Sequence, residues 1–286
     1  PATSTDAAAV LARLDDLVGP ATMAMAGPRF FGFVIGGALP VTVAANWLAT
    51  AWDQNAALAT ATPGVSRVEA IALAWLKDLF GLPASTQGAF VTGATMANFT
   101  ALAAARHRVL MQAGWQVEAE GLFGAPPITV IVGEEAHPTL IKSLGLLGLG
   151  RKRVVRVPVD GQGRMRADRL PRLAGPTILC LQAGNLNTGA FDPLTDLCAA
   201  AREAGAWYHI DGAFGLWAAA SPTRRHLTAG MAEADSWTTD AHKWLNVPYD
   251  SGIIFMRDPA RVRPTMSARA GYDPRAALTL WQKMAQ

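Results

Sequence analysis

The sequence predicts an α/β protein built on one mostly parallel sheet, and three observations carry that expectation. From about Gln87 onward, seven short runs rich in branched and aromatic residues alternate with segments of helical periodicity. Most of these runs are apolar throughout rather than alternating, as strands covered on both faces are. The chain of 286 residues is 51% hydrophobic and 16% charged, against roughly 25% charged in an ordinary globular protein, so it can bury one large core.

The N-terminal part lacks the alternation. "DAAAVLARLDDLVG" has the periodicity of a helix, a glycine-rich passage follows, and a second helix is expected from about Val41. Residues 1–58 therefore read as an arm and residues 59–286 as the large domain. The run from Phe30 to Trp52 carries no formal charge, which raises the question of a membrane span of about 20 residues. Gly36, Gly37, Pro40 and Asn46 interrupt it, so it reads as a buried segment of a soluble protein with no membrane partner. No charged segment precedes an apolar core near Pro1, and Cys180 and Cys198 have no metal-ligand spacing. Reduced thiols and a cytoplasmic location are the expectation.

"SRVEAIALAWLKDLFGLP" is an amphipathic helix ending at Gly81, with Pro83 just beyond. Then "GAFVTG" leads to the helical "TMANFTALAAARHRVL", "ITVIVG" to "HPTLIKSLGLLG", "RVVRVPVD" to a helix over "ADRLPRLAG", and "TILCLQAG" to "LTDLCAAAREAG". Three more strands follow, "AWYHIDGA", "ADSWTTD" and "SGIIFMRD". The basic cluster Arg151, Lys152, Arg153 and Arg156 leads into a strand and reads as its solvated entrance; a net charge of +3 gives no case for a nucleic-acid partner.

In parallel sheets, ligands bind beyond the carboxyl ends of the strands. Asp211 ends one apolar strand and needs a cation or a cap there. Lys243 follows another; a lysine in apolar surroundings is a nucleophilic amine able to form a Schiff base. His137 follows a third. After "GAFVTG", Gly93, Ala94, Thr95 and Asn98 open a helix whose free N–H groups suit an anion, phosphate above all. Singly, each has a structural reading as a cap, a salt bridge or a satisfied polar group. Together they supply a phosphate cradle, a carboxylate for a pyridinium nitrogen, an imidazole to lie over a ring and an amine for an aldehyde, which are the requirements of pyridoxal 5'-phosphate.

"TTDAHKWLNVPYDSG", "HIDGAFG", "VTGATMANFTALAAAR", "EEAHPTLIKSLGLLGLG" and "GNLNTGAFDP" resemble, in the expected order, motifs of the group II pyridoxal-phosphate-dependent amino-acid decarboxylases, the family of aromatic-L-amino-acid and glutamate decarboxylases. The resemblance implies the fold type I (aspartate aminotransferase-like) large domain and a homodimer with active sites at the subunit interface. It matches Lys243 to the lysine of the internal aldimine, Asp211 to the partner of the pyridinium nitrogen, Ala213 to the residue beneath the ring and His137 to the stacked imidazole. Ala94 and Thr95 match the phosphate-binding turn that Gly93 opens, Asp240 and His242 the surroundings of phosphate and lysine, and Asn185 the ring-hydroxyl side. Asp240 departs from the asparagine that also occurs in the family, and an acid beside a phosphate requires compensation. Tyr272 matches the mobile-loop tyrosine that protonates the α-carbon.

The implied reaction is decarboxylation of an L-amino acid to an amine and carbon dioxide, with an aromatic or apolar substrate favoured by Phe33, Val34 and Ile35; "AWDQNAALA" matches a segment that reaches across the dimer. After "GYDPR" the chain passes almost directly to "AALTLWQKM", so most of the mobile lid and the C-terminal small domain are expected to be absent or truncated. A shortened lid admits water and favours transamination or aldehyde formation. An aminotransferase or aldehyde-forming relative, and a catalytically silent dimer of the same fold, are therefore the alternatives. Metal hydrolysis through Glu134, Glu135, His137, His209 and Asp211 lacks H-E-x-x-H or a comparable spacing, and nucleotide binding lacks the G-x-x-x-x-G-K-[ST] motif, so neither a metal nor a nucleotide is expected.

Overall fold

The structure, a computed structural model, describes residues 4–56, 59, 61–259 and 265. Seven strands form one sheet: β1 (Gln87–Val91), β2 (Thr129–Gly133), β3 (Val155–Val157), β4 (Thr177–Gln182), β5 (Trp207–Asp211), β6 (Ser236–Asp240) and β7 (Gly252–Met256). They lie in the order β1-β7-β6-β5-β4-β2-β3. The pairs β3–β2, β2–β4, β4–β5 and β5–β6 are parallel, and β7 runs antiparallel to both β6 and β1. All seven strands expected from the apolar runs are present.

The helices are α1 (Ala7–Val18), α2 (Pro40–Trp52), α3 (Pro63–Leu79), α4 (Ala94–Gln112), α5 (Val117–Glu120), α6 (Pro138–Leu146), α7 (Leu194–Glu203) and α8 (Ala241–Trp244). Because strand side chains alternate faces, Val130, Val132, Ile178, Cys180 and Trp207 turn to one side of the sheet and pack with Leu102 and Val109 of α4 and Leu140 and Leu144 of α6. Their neighbours Ile131, Leu179, Leu181, Tyr208 and Ile210 turn to the other side, among Leu197 of α7, Trp217, Trp237 and Phe255. Both layers are closely filled, which is why the strands read as continuous apolar runs. Cys180 and Cys198 are unpaired and buried.

Two local expectations need correction. "ADRLPRLAG" forms a single 3-10 turn, Ala167–Arg169, because Pro171 disfavours helical backbone at Leu170, which is extended (φ −63, ψ 124). The segment between β5 and β6, to which the sequence reading gave no element, folds as three 3-10 turns, Gly215–Ala220, Arg225–Thr228 and Met231–Glu233. The strand-entrance reading agrees with the exposure of Arg151, Lys152 and Arg153, whereas Arg156 lies within β3, exposed, and donates to the Glu134 carbonyl at 3.0 Å.

Neither α1 nor α2 contributes a buried residue, so the run from Phe30 to Trp52, expected to be buried, is largely exposed instead, with Val41 and Trp47 each 71% exposed. The arm is nevertheless tied to the loop after α8. Gly36 N–H donates to the His242 carbonyl at 3.1 Å, Leu39 N–H to the Asn246 carbonyl at 2.9 Å, and the Asn246 side-chain amide to the Gly36 carbonyl. A Cβ at Gly36 would overlap the Lys243 carbonyl oxygen, so glycine is what permits this approach. Among the described residues no helix is long and apolar enough to cross a membrane.

Candidate active site

A cavity of about 300 Å³ opens where the carboxyl ends of β5 and β6 meet the N-terminus of α4. Gly93, Ala94, Thr95, His137, Asp211, Ala213, Asp240 and Lys243 all line it. Residues spread over 151 positions of sequence thus converge on one hollow, as the parallel topology requires.

Each wall has a local cause. Helix α4 begins just after β1, and its N-cap, Gly93, has no side chain to close the first turn, where the Asp240 carboxyl draws on the Ala94 N–H alone. An α-helix has unpaired N–H groups there and the positive end of its dipole, so the turn can receive an anion. Its position depends on β7, since a Cβ at Gly252 would overlap the backbone of Gly93. Ser143 Oγ of α6 donates to the Thr95 carbonyl at 3.2 Å and fixes the same turn from the other side. His137 is the N-cap of α6. Its Nδ1 accepts from Thr139 N–H at 3.3 Å and lies 2.7 Å from Thr139 Oγ1, so this nitrogen is the ring's acceptor while the ring also lines the cavity. Structural cap and cavity wall are the same residue.

Asp240 caps α8, accepting from His242 N–H at 2.8 Å. Burial pushes its carboxyl above the usual carboxylate range, against the opposing pull of that N–H, the Lys243 charge and the Ala94 N–H. The compensation demanded of an acid beside an anion site comes from those same partners, the His242 and Ala94 N–H groups and the Lys243 charge. His242 is buried and lies outside the cavity lining. Its Nδ1 donates to the Val247 carbonyl at 2.7 Å, its ring stacks on Tyr249 at 3.5 Å between centroids, and its buried Nε2 has no partner among the described residues.

Asp211, at the end of β5, is only 6% exposed yet forms no ion pair among the described residues. Its Oδ2 accepts from Asn98 Nδ2 at 3.0 Å and its Oδ1 from Ala213 N–H at 3.2 Å. Asn98 therefore serves the carboxylate rather than the anion turn, one helical turn further along α4 than that reading placed it. Asn185 is also outside the lining. Its Nδ2 donates to Glu135 at 2.7 Å, and its Oδ1 accepts from the N–H groups of Asn187 and Thr188 at 2.9 and 3.3 Å, so the amide is spent on its own loop and on Glu135. Tyr272 lies outside the described residues. The sequence reading missed Gln182, Phe214 and Tyr249, which line the cavity. Gln182 ends a strand, a signal that could have found it; Phe214 and Tyr249 lie in loops with no such marker.

Behind Asp211, His209 is fully buried, and burial pushes its imidazole down to about 4 from an ordinary value of 6.5. Between those pH values the unfolded chain binds the proton that the folded chain refuses. Stability is thus fully present above about pH 6.5 and falls as pH drops toward about 4, by about 3 kcal/mol from this group. The expected outcome is a urea midpoint that declines over this window and declines less in His209→Gln; parallel declines would refute the contribution.

Comparisons with known proteins identify the family. The family described as "Pyridoxal-dependent decarboxylase conserved domain" matches residues 2–277. An aromatic-L-amino-acid decarboxylase of Bacillus atrophaeus is 31% identical over 253 residues, 86% of this chain and 50% of that protein. An L-2,4-diaminobutyrate decarboxylase of Rhizobium meliloti is 31% identical over 82% of this chain and 45% of its own length. The structure of Oryza sativa TDC, solved with PLP and tryptamine, superposes with a TM-score of 0.86 at 24% identity, covering 95% of this chain and 58% of that one. Mouse CSAD gives a TM-score of 0.85 at 25% identity over 94% and 58%. The chain spans half or less of the length of these two sequence relatives. The family match spans nearly the whole of this chain and the fold is that of the superposed structures: the chain belongs to the pyridoxal-dependent decarboxylase family.

Proposed function

We propose that the chain carries the cofactor-binding core of an amino-acid decarboxylase that converts an L-amino acid to an amine and carbon dioxide. The observation that carries this reading is the convergence of Lys243, Asp211, His137 and the uncapped N-terminus of α4 on one cavity of about 300 Å³. The residues fit pyridoxal phosphate: an anion site, a buried carboxylate with only hydrogen-bond donors around it, an imidazole wall and a lysine, with the unpartnered His242 Nε2 behind them. When bound, that cofactor supplies an electron sink for the bond broken at the α-carbon.

In this reading the first turn of α4 binds the phosphate. Asp211 holds a proton on the ring nitrogen, in surroundings where water does not screen the pair. His137 orients the ring from one face. Lys243 would hold the aldehyde, and its amine is placed to move a proton beside the substrate. We retain residues 1–58 as an arm and 59–286 as the large domain, the arm holding the backbone of the lysine loop through Gly36 and Leu39.

The substrate side chain is proposed to be aromatic or apolar. Leu186, Phe214 and Tyr249 line the cavity, and no arginine does so among the described residues. A second hollow of about 600 Å³ shares Phe214 and is walled by Phe191, Trp217 and Trp244. A carboxylate side chain would find no guanidinium partner in either cavity except Arg224 at the second. A homodimer is part of the proposal, since α1 leaves Leu11 and Leu17 each 66% exposed and α2 leaves Trp47 71% exposed, apolar surface suited to a second copy.

Product analysis of the purified protein with added cofactor tests the reading, using tryptophan, phenylalanine, glutamate and 2,4-diaminobutyrate. Equal yields of amine and carbon dioxide from the aromatic substrates are expected. A keto acid or aldehyde in place of amine would transfer the assignment to the aminotransferase or aldehyde-forming alternative, and a bound cofactor without product to the silent dimer.

A further inference from the structure

Period-2 alternation on β5 places Trp207, His209 and Asp211 on the face covered by α4, and the β5–β6 register sets Ser236 beside His209. All five side chains involved, including Asn98 of α4, are nearly or wholly buried. They are joined end to end. Trp207 Nε1 lies 3.0 Å from Ser236 Oγ, Ser236 Oγ 2.9 Å from His209 Nδ1, His209 Nε2 2.9 Å from Asn98 Oδ1, and Asn98 Nδ2 3.0 Å from Asp211 Oδ2.

The ends of this chain fix its direction. An ionised carboxylate only accepts, so Asn98 turns its amide N–H to Asp211 and its oxygen to His209. That oxygen demands a proton on Nε2, and a neutral ring then has a bare Nδ1. Ser236 must donate to it, and Ser236 Oγ in turn accepts from the indole N–H, which can only donate. Every group is satisfied in one arrangement, and no cation is needed to hold the carboxylate.

We propose that Trp207, Ser236, His209 and Asn98 form a directed relay that positions Asp211. These are positioning residues, none of which lines the cavity. Together with the Ala213 N–H, the relay grips both carboxylate oxygens and leaves each a lone pair for the ring nitrogen of a bound cofactor. Its catalytic consequence rests on the role proposed for Asp211; its direction does not.

Nitrogen NMR of the cofactor-free protein with labelled histidine tests the direction alone. The expected result is His209 neutral at pH 7, protonated on Nε2 and bare on Nδ1. Ser236→Ala, which removes only a hydroxyl, should move the Nδ1 resonance and leave the Nε2 proton in place. Asn98→Leu should release the tautomer, and in the loaded protein lower kcat by about 10²-fold with KM little changed, as misplacement of a reacting partner does. A proton on Nδ1 in the unaltered protein, or an Nδ1 resonance indifferent to Ser236→Ala, would overturn the relay. Absence of any cofactor signal alongside the expected tautomer would instead overturn the functional reading and leave the relay standing.

Discussion

A protein with Lys243 replaced by alanine is expected to keep its fold and to lose turnover by roughly 10⁴- to 10⁶-fold, the range seen when a covalent catalyst is removed. Retention of the fold follows from its place. Lys243 belongs to neither large core cluster, and it sits on the one-turn helix α8, whose backbone is fixed by other residues. Asp240 caps that helix from below, and the arm grips the His242 carbonyl and Asn246. Removing the lysine side chain disturbs none of these bonds, so stability should shift by about 0.5 kcal/mol or less. The readouts are the visible spectrum and the mass of the peptide containing residue 243 after borohydride reduction. In the unaltered protein that peptide should carry a pyridoxyl group on Lys243, and the band should shift on reduction. In Lys243→Ala both signals should vanish while the thermal midpoint holds. An unchanged spectrum would remove Lys243 from its proposed role, because an amine elsewhere would then be holding the aldehyde.

The sheet was legible because its strands are buried on both faces, so apolar runs such as "TILCLQ" and "GIIFM" could hardly serve another purpose. The sequence also named half of the cavity lining, since parallel topology brings the strand ends at Asp211, Asp240 and Lys243 together. What could not be read was the use of polar groups. Asn98 lies within the first turns of a helix, and sequence spacing cannot say whether its amide turns to an anion or to a carboxylate; the packing of α4 on β5 decides that. Asn185 carries the same ambiguity in a loop, where Glu135, distant by 50 positions, claims its amide. His209 entered the sequence argument only as a metal ligand to be dismissed, whereas the β5–β6 register makes it the centre of a buried hydrogen-bond chain. The helix expected over "ADRLPRLAG" failed for a reason that was in view: Pro171 sits inside it.

Asp211→Ala is expected to retain some cofactor but to lose turnover by at least about 10²- to 10³-fold, comparable to removing one well-placed electrostatic contact in a water-poor site. Retention follows from the division of labour in the cavity: the first turn of α4 for phosphate and Lys243 for the aldehyde lie on elements other than β5, and the carboxylate's hydrogen bonds run to Asn98 and the Ala213 N–H. Loss of turnover follows because no other acid replaces it. Asp240 lines the same cavity, but its carboxyl is engaged in capping α8 and lies on a different strand. Asp211→Asn separates charge from shape. The amide has the same outline and can still receive Asn98 Nδ2 on its oxygen, yet it carries no negative charge to keep a ring nitrogen protonated. If the charge is what matters, Asn at this position should be nearly as inactive as Ala while folding as well as the unaltered protein. If only the packing matters, Asn should restore most of the activity. Near-normal turnover in Asp211→Ala would dismiss both, and with them the idea that the buried carboxylate exists for the ring. The structure gives the first outcome its physical basis: a carboxylate 6% exposed, without an ion-pair partner among the described residues and surrounded by donors, is a charge held ready for a cation that the ligand itself must bring.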